Sequence, residues 1–473
     1  MKSGRLNVGV GLLTMAFFMA YGFLLIYLRD FAPGKEEWIA QYSVGKHFES
    51  RLAHVHGNLF AFLNVMLGFV IPRLTAGENA RRARVLALRD RARAIAAKPG
   101  VLPPPLIDSP KCPRCSLVAI CMPDETNTAL GRDDRVRPLV PLRDDGVPLV
   151  LTGRVYAGKD GAEIAVKDEG KVVARARIAD TNQVVVWGHA TVSTPLLHAL
   201  AERDVPVSFH THSGWYTGGF VAASGIGALL RVAQHGAAAD PKRSLEIAAR
   251  FIEAKIRNTR VLLRRNGGVV GDDVLQRMAG YAEDALKAQS AESLLGIEGN
   301  AARLYFEHFG KMLKEDHGFV LEGRNRRPPM DPVNALLSFA YANLVREVQH
   351  ALQRVGFDPF AGFSHRPRHG RPALALDLME EFRPVIGDSV VLTALNHAEV
   401  RAEDFIIRPT GVALGDAGRR RFFGVFARRM DEEATHPIVG TRASMRRLLE
   451  VQARLLARHL TGELPEYLAY RIR

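Results

Sequence analysis

Hydrophobic and polar positions change their rhythm three times along this chain. Residues 6–28 (LNVGVGLLTMAFFMAYGFLLIYL) carry no charge and are long enough to span a bilayer as a helix. A second apolar run, 58–72, is shorter and suits a tight span or a buried helix. Lys2 and Arg5 precede the first run, and Arg73, Arg81, Arg82 and Arg84 follow the second, which favours both ends inside the cell. Residues 78–96 read as an arginine-rich amphipathic helix, followed by the proline-rich connector GVLPPPLIDSP. After a polar linker over 125–145 the period shortens. PLVLTGR, AEIAVKD and KVVARARIADTNQVVVWG alternate or run apolar between Gly and Asp turns, which is strand behaviour. A short helix over 193–203 interrupts before VPVSFHTHSGWYTGGFVA returns to strand. From residue 225 the pattern is helical almost to the end, beginning with PKRSLEIAARFIEAKIRNTRVLLRRN, a long amphipathic helix studded with Arg257, Arg260, Arg264 and Arg265.

The predicted fold class is therefore α+β: an N-terminal membrane-like helical segment, a small β-rich domain, and a mainly α-helical domain. Expected divisions are 1–75 for the membrane-like segment, 76–124 for a cysteine-bearing piece, 136–222 for the β-rich domain and 225–473 for the helical one. The length of 473 residues suits this number of parts. Catalytic chemistry in the cytoplasm, tethered to the inner membrane through residues 6–28, is the expected location.

Composition changes the picture in one respect. The hydrophobic share of 47% and charged share of 24% belong to an ordinary globular chain, but the net charge of +14 does not. Much of the excess is arginine, whose planar fork grips phosphate, so nucleic acid is the expected partner.

Cys112, Cys115 and Cys121 are the three cysteines of the chain, spaced C-x2-C-x5-C. Thiolates so spaced suit an iron–sulfur cluster or zinc, but either normally takes four ligands and the chain offers three. His210 and His212 share one side of a strand with no acidic companion, and are expected at the surface. Glu298 sits between Ile297 and Gly299 in an apolar setting, where an acid must be paired, bind a metal or cost several kcal/mol. The stretch FSHRPRHGRPALALDLMEEFRP (363–384) places His365 in a basic loop ahead of an apolar segment carrying Asp377 and Glu380. Three-residue spacing on a helix puts those carboxylates on one face. A histidine and acids among arginines suit Mg²⁺ or Mn²⁺ held against a phosphate. Arg366, Arg368 and Arg371 flank the histidine and, with Arg303, are candidate phosphate contacts.

At GIEGNAARLYF, RRPPMDPVNALLSFAYANL and GFSHRPRHGRPALALDLMEEFRP the chain resembles the CRISPR-associated integrase, a metal-dependent endonuclease that inserts new spacers into CRISPR arrays. The resemblance covers about residues 136–473. It implies metal-ligand roles for Glu298, His365 and Glu380 and makes Asp377 a further catalytic acid; the family often carries aspartate where Glu380 stands. It implies double-stranded DNA as substrate, a homodimer, and a small CRISPR-associated bridging partner protein. A 3′-hydroxyl of a captured fragment would attack the repeat boundary by transesterification, and water in its place would give cleavage. The piece RARAIAAKPGVLPPPLIDSPKCPRCSLVAICMPDE resembles the tail of the RecB-like CRISPR-associated exonuclease, which is sometimes fused ahead of this integrase. With its nuclease motifs missing and one cysteine short, that piece is expected to be inactive and its cluster incomplete. The rival expectations are a general nuclease acting on branched DNA in repair, and a catalytically inactive, membrane-tethered DNA-binding protein.

Overall fold

The computed structural model describes residues 2–31, 33, 61–63, 65, 66, 86, 87, 104–115, 118–140, 146–203, 205–211, 216–220, 227–268, 270–314, 318–325, 328–365 and 368–472. They fall into two compact units, Met1–Pro99 and Gly100–Arg473. In the first, the apolar run forms α1 (Lys2–Asp30). A Cβ on Gly11 would meet Val65 Cγ2 at 2.7 Å and the Ala61 carbonyl oxygen at 2.9 Å, so α1 packs closely on the described part of the second apolar run. Among the described residues no helix is long and apolar enough to cross a membrane. The expected membrane-like segment and tether at 6–28 are therefore unsupported. Most of 58–72 and of the arginine-rich helix expected at 78–96 lies outside the described residues.

The second unit, from Gly100, includes the cysteine motif. A 3₁₀ turn at Cys112–Arg114 leads to α2 (Val118–Cys121) and α3 (Pro123–Ala129). Met122, between them, takes a left-handed backbone at φ 43° and buries its whole side chain. It joins a small core with Val140, Val439, Val451, Leu455 and Leu464. The Arg458 guanidinium donates to the Ile120 carbonyl at 3.1 Å and to that of Cys121, and the Thr441 hydroxyl donates to the Glu125 carboxylate at 2.9 Å. The segment expected as a polar linker thus begins with a buried stretch, Glu125–Thr126–Asn127. Thr126 Oγ1, Asn127 and one Glu125 oxygen find protein partners, a distinction composition does not carry.

The β-rich part consists of two four-stranded sheets. One sheet has the order β1 (Val147–Leu151), β5 (Thr181–Trp187), β7 (Val207–His210), β8 (Tyr216–Phe220), parallel except for β8. The other runs β4 (Lys171–Arg177), β3 (Glu163–Asp168), β2 (Tyr156–Asp160), β6 (Thr191–Val192). Leu151, Ile164, Val166, Val184, Val186 and Val207 of the strands pack with Leu196 and Leu200 of α4 (Thr194–Ala201). Strand β5 is buried on both faces because its second face meets the helical domain. There the Gln183 amide donates to Glu347 Oε1 at 2.9 Å, and the Trp187 ring packs edge-on against Phe339 at 5.9 Å and Phe423 at 5.2 Å. His210, expected at the surface, is buried on inner strand β7 with Nε2 3.2 Å from Ser208 Oγ; His212 lies outside the described residues.

The helical domain comprises α5 (Ala228–Ala239), α6 (Pro241–Asn266), α7 (Asp272–Leu286), α8 (Ala291–Phe309), α9 (Pro332–Val355), α10 (Ala373–Phe382), a π-helical turn at Arg383–Asp388, α11 (Ser389–Asn396), α12 (Asp416–Asp431) and α13 (Met445–Leu460). Two hairpins that the helical pattern hid, β9 (Phe405–Arg408) with β10 (Gly411–Leu414) and β11 (Glu433–Thr435) with β12 (Arg442–Ser444), are inserted late. Helix α6 is the hub. Asp240 caps it, accepting from the Lys242 and Arg243 amides at 2.9 and 3.3 Å, with Pro241 at the first position. Its buried stripe includes Phe251, Ile252, Ile256 and Leu263, packed by α7, α8 and α10. Each such large side chain contributes roughly 1.5–3 kcal/mol through burial.

Candidate active site

Helices α8 and α10 lie against α6, and the candidate residues collect where the three meet. On α10, Asp377 and Glu380 are both buried, one turn apart on the face the spacing predicted. Their surroundings differ. Asp377 Oδ2 accepts the backbone N–H groups of Phe363 and Ser364 at 2.5 and 3.0 Å. Its Oδ1 accepts the His365 N–H at 2.9 Å and lies 2.6 Å from the His365 ring Nδ1. One carboxylate thus holds three consecutive residues of the loop together with the imidazole. The close fit needs glycine at 362, where a Cβ would sit 2.7 Å from Asp377 Oδ2 and 2.9 Å from Ala373 Cβ. The His365 pKa is raised: burial opposes the charged form, but the hydrogen bond and charge of Asp377, with Glu380 nearby, outweigh it.

Glu380 faces a different set. Both its oxygens take the Arg383 Nη1 at 3.0 Å, and Oε2 also accepts from the Lys255 ammonium at 2.8 Å. Burial would raise the Glu380 pKa; Arg383, Lys255 and His365 together hold it down at about 2. The same Lys255 ammonium donates to Glu298 Oε1 of α8. Glu298, expected to be paired, metal-bound or costly, is therefore paired. Arg383 is itself held, with its guanidinium 4.2 Å from the centre of the Tyr341 ring. Asp388 accepts the hydroxyls of Tyr341 and, at 2.8 Å, Tyr305, which stands two turns after Glu298 on α8. A continuous chain of contacts runs from Glu380 through Arg383, Tyr341 and Asp388 back to the helix that carries Glu298.

Lys255, Arg383, Tyr341, Tyr305 and Asp388 were not singled out from the sequence. Lys255 left a signal: in RFIEAKIRNT it falls in phase with Phe251, Ile252, Ile256 and Thr259, a charge inside an apolar stripe. Neighbouring Glu381 points elsewhere, accepting the Tyr467 hydroxyl and the Tyr470 N–H, and burial pushes its pKa up to about 8.

Among the described residues no group of three His, Cys, Asp or Glu side chains is gathered to hold a metal ion. Glu298 and Glu380 nevertheless close on one cation, the Lys255 ammonium, and His365 is near enough to Glu380 for the two charges to act on each other. Asp377 occupies Nδ1 and makes no contact with Nε2. Carboxylate and imidazole donors are of the kind that Mg²⁺ or Mn²⁺ takes, although only Glu298 and Glu380 share the Lys255 ammonium. The cysteines do not fit a cluster: Cys112 and Cys121 are half-buried free thiols, Cys115 is exposed, and no fourth thiol exists.

The arginines are spread out. Arg303 is exposed, 3.9 Å from Glu307 one turn along α8. Arg368 is exposed, Arg371 is half-buried and close enough to His365 to act on its charge, and Arg366 lies outside the described residues.

Comparison with known proteins points one way. The family model described as CRISPR associated protein Cas1 matches residues 149–428. A CRISPR-associated exonuclease Cas4/endonuclease Cas1 fusion of Geobacter sulfurreducens is 48% identical over 379 residues, covering 78% of this chain and 68% of the relative. A CRISPR-associated endonuclease Cas1 of Thermus thermophilus is 39% identical over 330 residues, covering 69% of this chain and 98% of the relative. The solved structure of a Cas1 protein from Thermotoga maritima shares the fold, with TM-score 0.58 at 24% identity over 67% of this chain and 97% of that one.

Proposed function

The chain belongs to the CRISPR-associated Cas1 family, and we propose that it is the DNA endonuclease and integrase that inserts captured DNA as new spacers into a CRISPR array. The observation that carries this reading is the convergence of Glu298 and Glu380, from separate helices, on a single cation beside a histidine fixed by Asp377.

Glu298, His365 and Glu380 would hold the divalent cation, Mg²⁺ or Mn²⁺, which when bound supplies charge stabilisation for phosphodiester transesterification by a 3′-hydroxyl or for hydrolysis by water. Asp377 acts as a positioning residue: all of its contacts go to residues 363–365, so it aims the imidazole and has no oxygen left over. Arg383 orients Glu380 by holding both its oxygens. Arg371, Arg368 and Arg303 supply positive charge for phosphates on the approach, contacts that position DNA without reading its sequence. A homodimer and a small CRISPR-associated bridging protein complete the assembly, as the resemblance implies. The cysteine-bearing piece takes no part in this chemistry.

The test is strand transfer of a short duplex into supercoiled plasmid by the full chain with Mn²⁺ and the bridging protein. The reading requires joined product that disappears in Glu298→Gln and His365→Ala. Product that survives both substitutions would refute it.

A further inference from the structure

Lys255 has no place in the chemistry above, yet it occupies the middle of the site. Its ammonium is nearly buried, joining Glu298 and Glu380 at the point where those two helices present their carboxylates. A divalent cation drawing on the same oxygens cannot share that position with an ammonium. Of the two cations on Glu380, Arg383 is the fixed one: its Nη1 donates to both oxygens and its guanidinium lies 4.2 Å from the centre of the Tyr341 ring. Lys255 is a point charge on a flexible four-carbon stem and is the one that can leave.

Resting on the metal reading of this site, we propose that Lys255 is an internal stand-in for the divalent cation. It neutralises Glu298 and Glu380 in the metal-free protein, competes with the incoming metal for them, and swings out when metal binds. Without it, two carboxylates of α8 and α10 would face each other with only Arg383 and His365 to offset their repulsion. With it, the helices keep their register before metal arrives, at the cost of weaker metal binding. The displaced ammonium is then a mobile positive charge at the edge of the site where DNA phosphates arrive. Phosphate gives it a partner, so DNA and metal should strengthen each other's binding, and by linkage to the same extent.

The experiment is Mn²⁺ titration of the full chain, followed by the electron paramagnetic resonance signal of free Mn²⁺, with and without a short duplex. Lys255→Gln should bind Mn²⁺ about tenfold more tightly than the parent without DNA, and the duplex should tighten Mn²⁺ binding several-fold in the parent but not in the variant. Thermal unfolding should show Lys255→Gln melting below the parent without metal and gaining more from added Mn²⁺. If the glutamine variant fails to fold, Lys255→Arg serves, with Mn²⁺ binding weaker than the parent's because a forked cation is harder to displace. Unchanged or weaker Mn²⁺ binding in Lys255→Gln, or unchanged or tighter binding in Lys255→Arg, would overturn the proposal while leaving the metal site intact. Mn²⁺ binding that is indifferent to Glu298→Gln as well would overturn the metal reading itself.

Discussion

Asp377 Oδ1 lies 2.6 Å from His365 Nδ1 and also accepts the His365 backbone N–H at 2.9 Å. A single carboxylate oxygen therefore fixes both where the histidine sits and which way its ring points. Asp377→Asn keeps the size but turns one acceptor into a donor against a row of N–H groups. Strand transfer should fall roughly 10–100-fold, as for other partners that orient a metal-binding histidine. DNA affinity, measured by fluorescence anisotropy, should stay near the parent value, and a parallel loss of both would contradict the positioning role.

Arg383 offers a second, independent handle. Arg383→Met removes the guanidinium from both Glu380 oxygens and from the Tyr341 ring. Breaking one side of a buried pair costs about 3–5 kcal/mol, and Lys255 should recover part of it. Urea unfolding should show a loss within that range or somewhat below it. A loss under about 0.5 kcal/mol, the size of an ordinary surface substitution, would show that Arg383 does not hold Glu380.

Stability should fall in acid through a histidine outside the proposed metal-ligand set. His436 is buried, with Nε2 2.9 Å from Gln452 Oε1 and Nδ1 accepting the Ile438 and Val439 N–H groups. Burial lowers its pKa to about 4, against 6.5 for the free side chain, despite the Gln452 hydrogen bond. The unfolded chain therefore binds a proton between those values that the folded chain refuses, so stability is full above 6.5 and declines as pH drops towards 4. The gap is worth about 3 kcal/mol at its limit. Urea unfolding at pH 7 and pH 5 should show the decline, and His436→Gln should flatten its slope.

The cysteine-bearing tail should prove structural. Met122 is wholly buried against Val451 and Leu455 of α13, and Arg458 reaches the carbonyls just before it. Met122→Ala should cost about 2–5 kcal/mol, the usual range for emptying such a site. A chain starting at residue 141 should melt earlier and bind a hydrophobic dye. Equal melting temperatures would mean that the tail only rests on the domain.

How much of this was legible beforehand follows from the physics of each part. The long helix at Pro241–Asn266, the strand region and the shared face of Asp377 and Glu380 could be read because period and spacing are local, whereas the grouping of Glu298 and His365 with them came from the family resemblance. The pairing of Glu298 could be anticipated as a requirement, but not its partner, since Lys255 lies 43 residues away and only the packing of α6 on α8 joins them. The catalytic role of Asp377 was implied by the resemblance; its contacts to residues 363–365 could not be read, because spacing shows which face a carboxylate takes and not which groups fill its lone pairs. The buried start of the supposed linker and the burial of His210 escaped for the same reason: both depend on what packs above them.

The most direct test of the account is a crystal structure of the full chain soaked with Mn²⁺, with the metal located by its anomalous scattering. The account predicts one peak bounded by Glu298, Glu380 and His365 Nε2, with Asp377 still on Nδ1 and the Lys255 ammonium moved away from both glutamates. A peak elsewhere, or Lys255 still joining Glu298 to Glu380 in crystals that have taken up the metal, would contradict it.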